Sequence, residues 1–284
     1  MSSRRDFLRS IPALSTGILL SSFGSKALAN QPSVMKETGI QLWTLRDNIA
    51  IDLIGTIEAL AKIGYTSIEA FGFDGSFYGQ PAREFRTFCN NLGIAIHSTH
   101  TGITAENATE YSEKALEAGL EYLVLPSMMG RPEGTIDDFK RLTAEMNQIG
   151  ESCNKKGIRF GYHNHGFEFK AKDGVIPYDI LLKETDPALV SFQLDIYWIK
   201  KAGQDPLHYF KEHPGRFQTW HVKDMGNDGD SCIVGNGNID FKKLMRHAKS
   251  AGLNRIFVEQ EAYSEGSPLF CAGQSFKYIQ SHLF

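Results

Sequence analysis

IRFGYHNHGFEF, residues 158–169, begins as an apolar, strand-forming run and ends in His163, Asn164, His165 and, three further on, Glu168. Side chains alternate along a strand, so His163 and His165 leave the pleat on one side and Asn164 on the other. Two imidazoles and a carboxylate are costly at the end of a buried strand unless something pairs with them. They make sense at the mouth of a barrel.

Working outward, the same unit recurs: a short apolar run, a polar loop, a helical pattern, and often a glycine before the next apolar run. Gly64 precedes YTSIEAF, Gly93 IAIHST, Gly119 LEYLVLP, Gly157 the opening stretch and Gly252 LNRIFVEQ. Such glycines read as helix C-caps. Strands are expected at 39–44, 66–71, 94–98, 121–125, 158–164, 190–197, 217–223 and 254–260. Helices are expected at about 51–63, 81–91, 105–118, 136–155, 177–185, 205–212, 239–250 and 273–282. Eight strands alternating with eight helices over roughly 255 residues give a single-domain (β/α)8 TIM barrel. No G-x-G-x-x-G follows a strand, which argues against an open doubly wound sheet. Longer loops are expected after the fourth, seventh and eighth strands, on the face where barrels place their chemistry.

Residues 1–29 read differently. Arg4-Arg5 precede a mostly apolar run over 11–23 and then Ala27-Leu28-Ala29. A charged start, an apolar middle and an A-x-A site with paired arginines match a twin-arginine export signal; an amphipathic first helix is the bland alternative. The run is too short and too rich in Ser and Gly for a membrane span, so no stable membrane insertion is expected after its removal. The expected mature chain is the barrel, 30–284, working in the periplasm. A net charge of −3 implies no basic surface and no nucleic-acid partner. The four cysteines, Cys89, Cys153, Cys232 and Cys271, show no metal spacing, and their pairing is open.

The carboxyl ends of barrel strands carry function. In order they offer Gln41, Trp43 and Arg46; Glu69; His97 and His100; Ser127; His163, His165 and Glu168; Asp195; His221, Lys223 and Asp224; and Glu259 and Glu261. Asp195, His221 and Glu259 sit at apolar strand ends where a charge is costly unless paired or metal-bound. With His163 they converge on one point, a mixed imidazole–carboxylate set suited to Mn2+, Co2+, Zn2+ or Fe2+. Each has a bland reading as well: a lone His is usually a satisfied residue, Asp195 could simply pair with Lys223 or Arg46, and Glu259 with Lys223. His208, His213, His247 and His282 fall on helices or loops away from that face. Trp43, Phe71 and Trp198 are either core or a stacking surface for a sugar.

YHNHGFEF, QLDIYW followed by KKAG, HVKD, VGNGNIDF, FVEQE and the opening GIQLWTLRD resemble the sugar phosphate isomerase/epimerase group of the xylose-isomerase-like barrel superfamily. The resemblance spans the barrel and names no substrate. It implies a divalent metal, Mn2+ first, with Zn2+, Co2+, Mg2+ or Fe2+ as alternatives. The group's usual ligands are Glu, Asp, His and Glu from strands five to eight. Asp195, His221 and Glu259 match in type; His163 stands where the first Glu is usual, so only Glu259 matches the group's pair of acid/base glutamates.

The expected chemistry is sugar isomerisation or epimerisation through an enediolate, with Glu259 as first-choice base and Glu168 and His165 behind it. Lys223 is expected to hold the oxyanion and Asp224 to fix Lys223. Gln41, Trp43, Glu69, His100, Trp198, Asp224 and Glu261 are expected around a small carbohydrate, possibilities including an oxidised glycoside. Elimination from the same intermediate, by a lyase or dehydratase, is the alternative. Phosphodiester hydrolysis fits poorly with an acidic chain having about four good ligands. A non-catalytic sugar-binding barrel is the third reading. Oligomers are open: the outer helices could support a dimer, and no stretch argues for one.

Overall fold

The computed structural model describes residues 37–284; the export-signal reading of 1–29 lies outside the described residues. Eight parallel strands close in sequence order: β1 (Thr38–Gln41), β2 (Ser67–Phe71), β3 (Ala95–His100), β4 (Tyr122–Pro126), β5 (Arg159–His163), β6 (Val190–Asp195), β7 (Thr219–Val222) and β8 (Arg255–Val258), with β8 pairing back onto β1. The barrel is the one expected. The five punctuating glycines all lie in the left-handed region, at φ +116° for Gly64, +76° for Gly93 and Gly157, +73° for Gly119 and +86° for Gly252. A side chain there would be strained, which is why a helix ends at these points.

Around the barrel run α1 (Arg46–Ile51), α2 (Leu53–Ile63), α3 (Ala82–Asn91), α4 (Ala108–Ala118), α5 (Ile136–Lys155), α6 (Pro177–Glu184), α7 (Ile196–Lys201), α8 (Pro206–Glu212), α9 (Phe241–Met245), α10 (Ala248–Ala251) and α11 (Pro268–His282). Two of the differences from the sequence expectation have local causes. β1 stops at Gln41, because the Gln41 side chain accepts the Trp43 N–H and turns the chain into a 3-10 helix over Leu42–Leu45. β6 stops at Asp195, whose Oδ1 accepts the Trp198 N–H at 2.9 Å and caps α7. The helix expected over 239–250 is two short ones, α9 and α10.

The strands are apolar where they face the helices, and the core includes Trp220, Tyr162, Phe192 and Phe217. All four cysteines are unpaired. Among the described residues no helix is long and apolar enough to cross a membrane. His97 belongs to the opposite end of the barrel from the strand ends that carry the site. Its ring lies 3.1 Å from Glu37 and 3.0 Å from Glu121, and Arg255 bonds both carboxylates. That polar plug reads as stability.

A candidate metal centre in the barrel mouth

His163, Asp195, His221 and Glu259 each bring one donor atom to within 4.8 Å of all the others, and all four are buried. The strands place them there by register: Asp195 is level with His221, and Glu259 follows two residues after Phe257, also level with His221. The His221 ring spans the site. Its Nε2 lies 2.6 Å from Glu69, and its Nδ1 3.1 Å from Glu259 and 3.9 Å from Asp195 Oδ2. A carboxylate behind a ligating imidazole fixes the tautomer and leaves the other nitrogen to the metal.

Two buried atoms of the set, His163 Nδ1 and Asp195 Oδ2, have no hydrogen-bond partner. Buried polar atoms nearly always have one, so two orphans in one four-donor cluster fit a cation. The electrostatics agree. Burial disfavours a charged His221, yet Glu259 and Glu69 outweigh it and push its pKa up to about 10; the pocket favours positive charge here. His163 is the opposite case: burial and the neighbouring imidazoles hold its pKa well below the ordinary value, in the neutral form that ligates. Two nitrogens and two carboxylates without thiolate suit Mn2+, Fe2+, Co2+ or Zn2+. His100 forms a second donor group with His163 and His221.

Beneath this set Glu69 acts as a hub. It accepts from Gln41 Nε2 at 2.8 Å, Ser98 Oγ at 2.5 Å and Gln193 Nε2 at 2.8 Å, besides its contact with His221. Gln193 Oε1 in turn holds His100 Nε2 at 2.6 Å. Gln41 and Glu69, expected to touch substrate, are therefore a buried layer that orients the ligands.

Lys223 is fully buried among three carboxylates, at 3.2 Å from Glu259, 3.0 Å from Glu261 and 3.8 Å from Asp195. Its ammonium also lies 5.0 Å from the Tyr197 ring and 5.3 Å from that of Trp198. Burial opposes the charge, but Glu259, Asp195 and Glu261 raise its pKa above the usual lysine value. The same lysine and His221 overcome burial at Glu259 and keep it ionised, whereas burial raises Asp195. His165 packs against Trp198 and His163, with centroids at 5.6 and 4.9 Å, and burial lowers its pKa to about 4.

Two expected roles are corrected. Glu168 is not among the residues lining the mouth: it is fully buried and accepts from the Tyr162 hydroxyl at 2.9 Å and the His165 N–H at 2.9 Å. It positions the His165 turn instead of facing the cavity. Asp224 does not fix Lys223; it accepts the N–H groups of Met225, Gly235, Gly237 and Ile239 and gathers the loop after β7. That loop is latched to the one after β8, where Ser231 Oγ accepts from Glu261 and Ala262 and Glu265 accepts from Ile233 and Asn236.

Trp43, His100, His163, His165, Glu259 and Glu261 line a mouth cavity of about 550 Å3, a size that encloses a drug-sized ligand. Trp198 stands behind His165 and Lys223. Ser98, Gln193 and Asn164 belong to the site's framework, and none of them stands among the expected site residues. Asn164 exchanges hydrogen bonds with the Asp195 backbone and ties β5 to β6. The signal for Gln193 was parity: it lies two residues before Asp195, on the same side of the strand.

The chain matches the model of the xylose isomerase-like TIM barrel family over residues 57–282. It is 26% identical over 187 residues to an inosose dehydratase of Geobacillus thermodenitrificans, covering 55% of this chain and 62% of that relative. It is 26% identical over 228 residues to that of Bacillus licheniformis, covering 72% and 70%. The match thus spans less than two thirds of the first relative's length. A sugar phosphate isomerase/epimerase structure from Parabacteroides distasonis superposes with a TM-score of 0.76 at 29% identity, covering 89% of this chain and 96% of that one. The barrel, the strand-end cluster and the extent of the family match together place the chain in the xylose isomerase-like TIM barrel family.

Proposed function

We propose that the protein is a divalent-metal-dependent enzyme that removes the proton beside a sugar carbonyl. The observation that carries this is the four-donor cluster with its two unpartnered atoms, His163 Nδ1 and Asp195 Oδ2. His163, Asp195, His221 and Glu259 would hold the ion, which when bound would polarise the carbonyl and acidify the adjacent C–H. The chain's own residues supply the rest. Glu259, kept ionised by Lys223 and His221, takes the proton. The Lys223 ammonium, pinned at 3.2 Å from Glu259, stabilises negative charge developing on the sugar oxygen. His165, neutral and on the cavity wall, orders the substrate hydroxyls.

Elimination of an oxygen substituent β to the carbonyl, which leaves as water or an alcohol with the proton that Glu259 removed, is the lyase outcome this reading prefers. Inverting a stereocentre calls for a second acid/base carboxylate, and the β5 member of the cluster is the imidazole of His163. The inosose dehydratase relatives support this reading. Epimerisation is the second reading, and similarity to the Parabacteroides isomerase/epimerase supports it. The twin-arginine pattern of residues 1–29 supports export to the periplasm and so a sugar without phosphate.

The test joins metal content to isotope exchange. Protein expressed with manganese should hold about one ion per chain, and His221→Ala should hold none. Keto sugars incubated in D2O with the loaded protein should exchange the proton next to the carbonyl. Equally empty wild type and variant, with melting temperatures unmoved by manganese, cobalt or zinc, would sink the metal reading.

A further inference from the structure

The half of the mouth away from the metal ligands is apolar and has no role in the chemistry above. Trp43, on the loop after β1, and Met129, on the loop after β4, both line the cavity, yet they are 42% and 51% exposed. The other large exposed hydrophobics among the described residues, such as Ile51, Leu116 and Phe270, do not line it. Trp43 is held in place: the edge of Phe71 meets its ring at 5.0 Å and 85°, and the Arg46 guanidinium lies 5.3 Å from its centroid. Met129 and Ser127 are non-glycine residues in the left-handed region, at φ +48° and +67°. That backbone costs on the order of 1 kcal/mol each. A half-exposed side chain recovers little of that by packing in the free protein.

Charge narrows the ligand further. Among the described residues no lysine or arginine lines the cavity, while Glu259 and Glu261 do. The adjacent cation, Lys223, is buried among three carboxylates, which leave the net charge beside it negative. Away from the proposed metal, a phosphate would meet no lysine or arginine to pair with it.

We infer that this wall is a subsite for an apolar, planar group carried by an uncharged sugar, an aryl glycoside being the class that fits. The inference rests on the sugar reading above and adds the second half of the ligand. The sugar ring lies toward His165 and Glu259, and the aryl group lies on the Trp43 and Met129 wall. Ring-on-ring stacking and thioether–aromatic contact reward a flat group there more than an alkyl chain.

Binding of unreactive ligands tests this without turnover. Phenyl β-D-glucopyranoside, methyl β-D-glucopyranoside and glucose 6-phosphate are titrated into the manganese-loaded protein and followed by calorimetry and tryptophan fluorescence. The phenyl glycoside should bind about tenfold or more tighter than the methyl glycoside, as burial of one aryl face implies, and glucose 6-phosphate should bind weakest. Met129→Ala should shrink the phenyl-to-methyl ratio, and Met129→Leu should keep most of it. Because the ratio is read within each variant, a general loss of folding does not imitate the result. Equal affinity for the two glycosides, or tightest binding of glucose 6-phosphate, overturns the subsite and leaves the metal-dependent chemistry standing. Failure of every sugar to bind overturns both.

Discussion

Glu69→Gln separates the orienting layer from the metal ligands above it. The wild-type carboxylate receives Gln41 and His221 on one oxygen and Ser98 and Gln193 on the other. An amide replaces one acceptor by a donor. Facing it toward Ser98 and Gln193 is the better choice, since the hydroxyl can turn to accept. Gln193 cannot turn, because its oxygen is held by His100 at 2.6 Å. One donor–donor conflict and one lost charge-assisted bond cost about 2–3 kcal/mol. In a barrel of this size that lowers the melting temperature by roughly 4–12 °C. The second effect falls on His221, which loses its anionic partner 2.6 Å from Nε2. Metal affinity should drop about 10- to 100-fold, as it does when a partner behind a ligating histidine is removed. Thermal unfolding of the metal-free protein reads the first effect, and calorimetric manganese titration reads the second. If the variant melts lower yet binds manganese as tightly as wild type, Glu69 is only a structural carboxylate and the orientation assigned to His221 is wrong.

Lys223→Met should keep the bound metal, measured by elemental analysis, while catalytic exchange falls about 10²- to 10³-fold; equal loss of both would make Lys223 structural. Glu168→Gln probes a buried carboxyl whose pKa burial pushes up to about 7. The folded state therefore prefers the neutral form, and this contribution is full below the unfolded pKa of about 4.3 and lost as pH rises through 7. Its size is on the order of 3 kcal/mol, and Gln, which stays neutral, should flatten the fall in urea stability between pH 5 and pH 8; parallel pH profiles for the two proteins would refute the assignment. Asp224→Ala removes the acceptor of four backbone N–H groups. It should cost about 3 kcal/mol and deprotect residues 225–239 in hydrogen exchange, with unchanged protection there counting against it.

Much of the barrel was legible because glycine has few substitutes where a helix must end left-handed, and those glycines precede five of the eight strands. The four donors were legible because a charged residue closing an apolar strand is rare without a purpose. What escaped were side chains acting on the backbone. Gln41 and Asp195 end their strands by capping, so QLWT and LDIYW read as extended when they turn into helix. Asp224 and Glu168 look like site carboxylates, and only the fold shows that their oxygens are spent on loop N–H groups. The Gln193–Glu69–Ser98 layer joins three strands that are far apart in sequence, and no local pattern announces such a contact.

The cross-latched loops after β7 and β8 divide the mouth into a fixed wall and an exchangeable one. Ser231, Asp224 and Glu265 bind the two loops into one piece beside His221, Lys223 and Glu259. On the β1–β4 side of the mouth, Trp43 and Met129 stand exposed on separate loops. Mutational drift on the second wall can alter what the protein accepts without disturbing how it reacts. Lineages descended from this barrel should therefore diverge first at Trp43 and residues 126–135, and acquire new ligands before new chemistry.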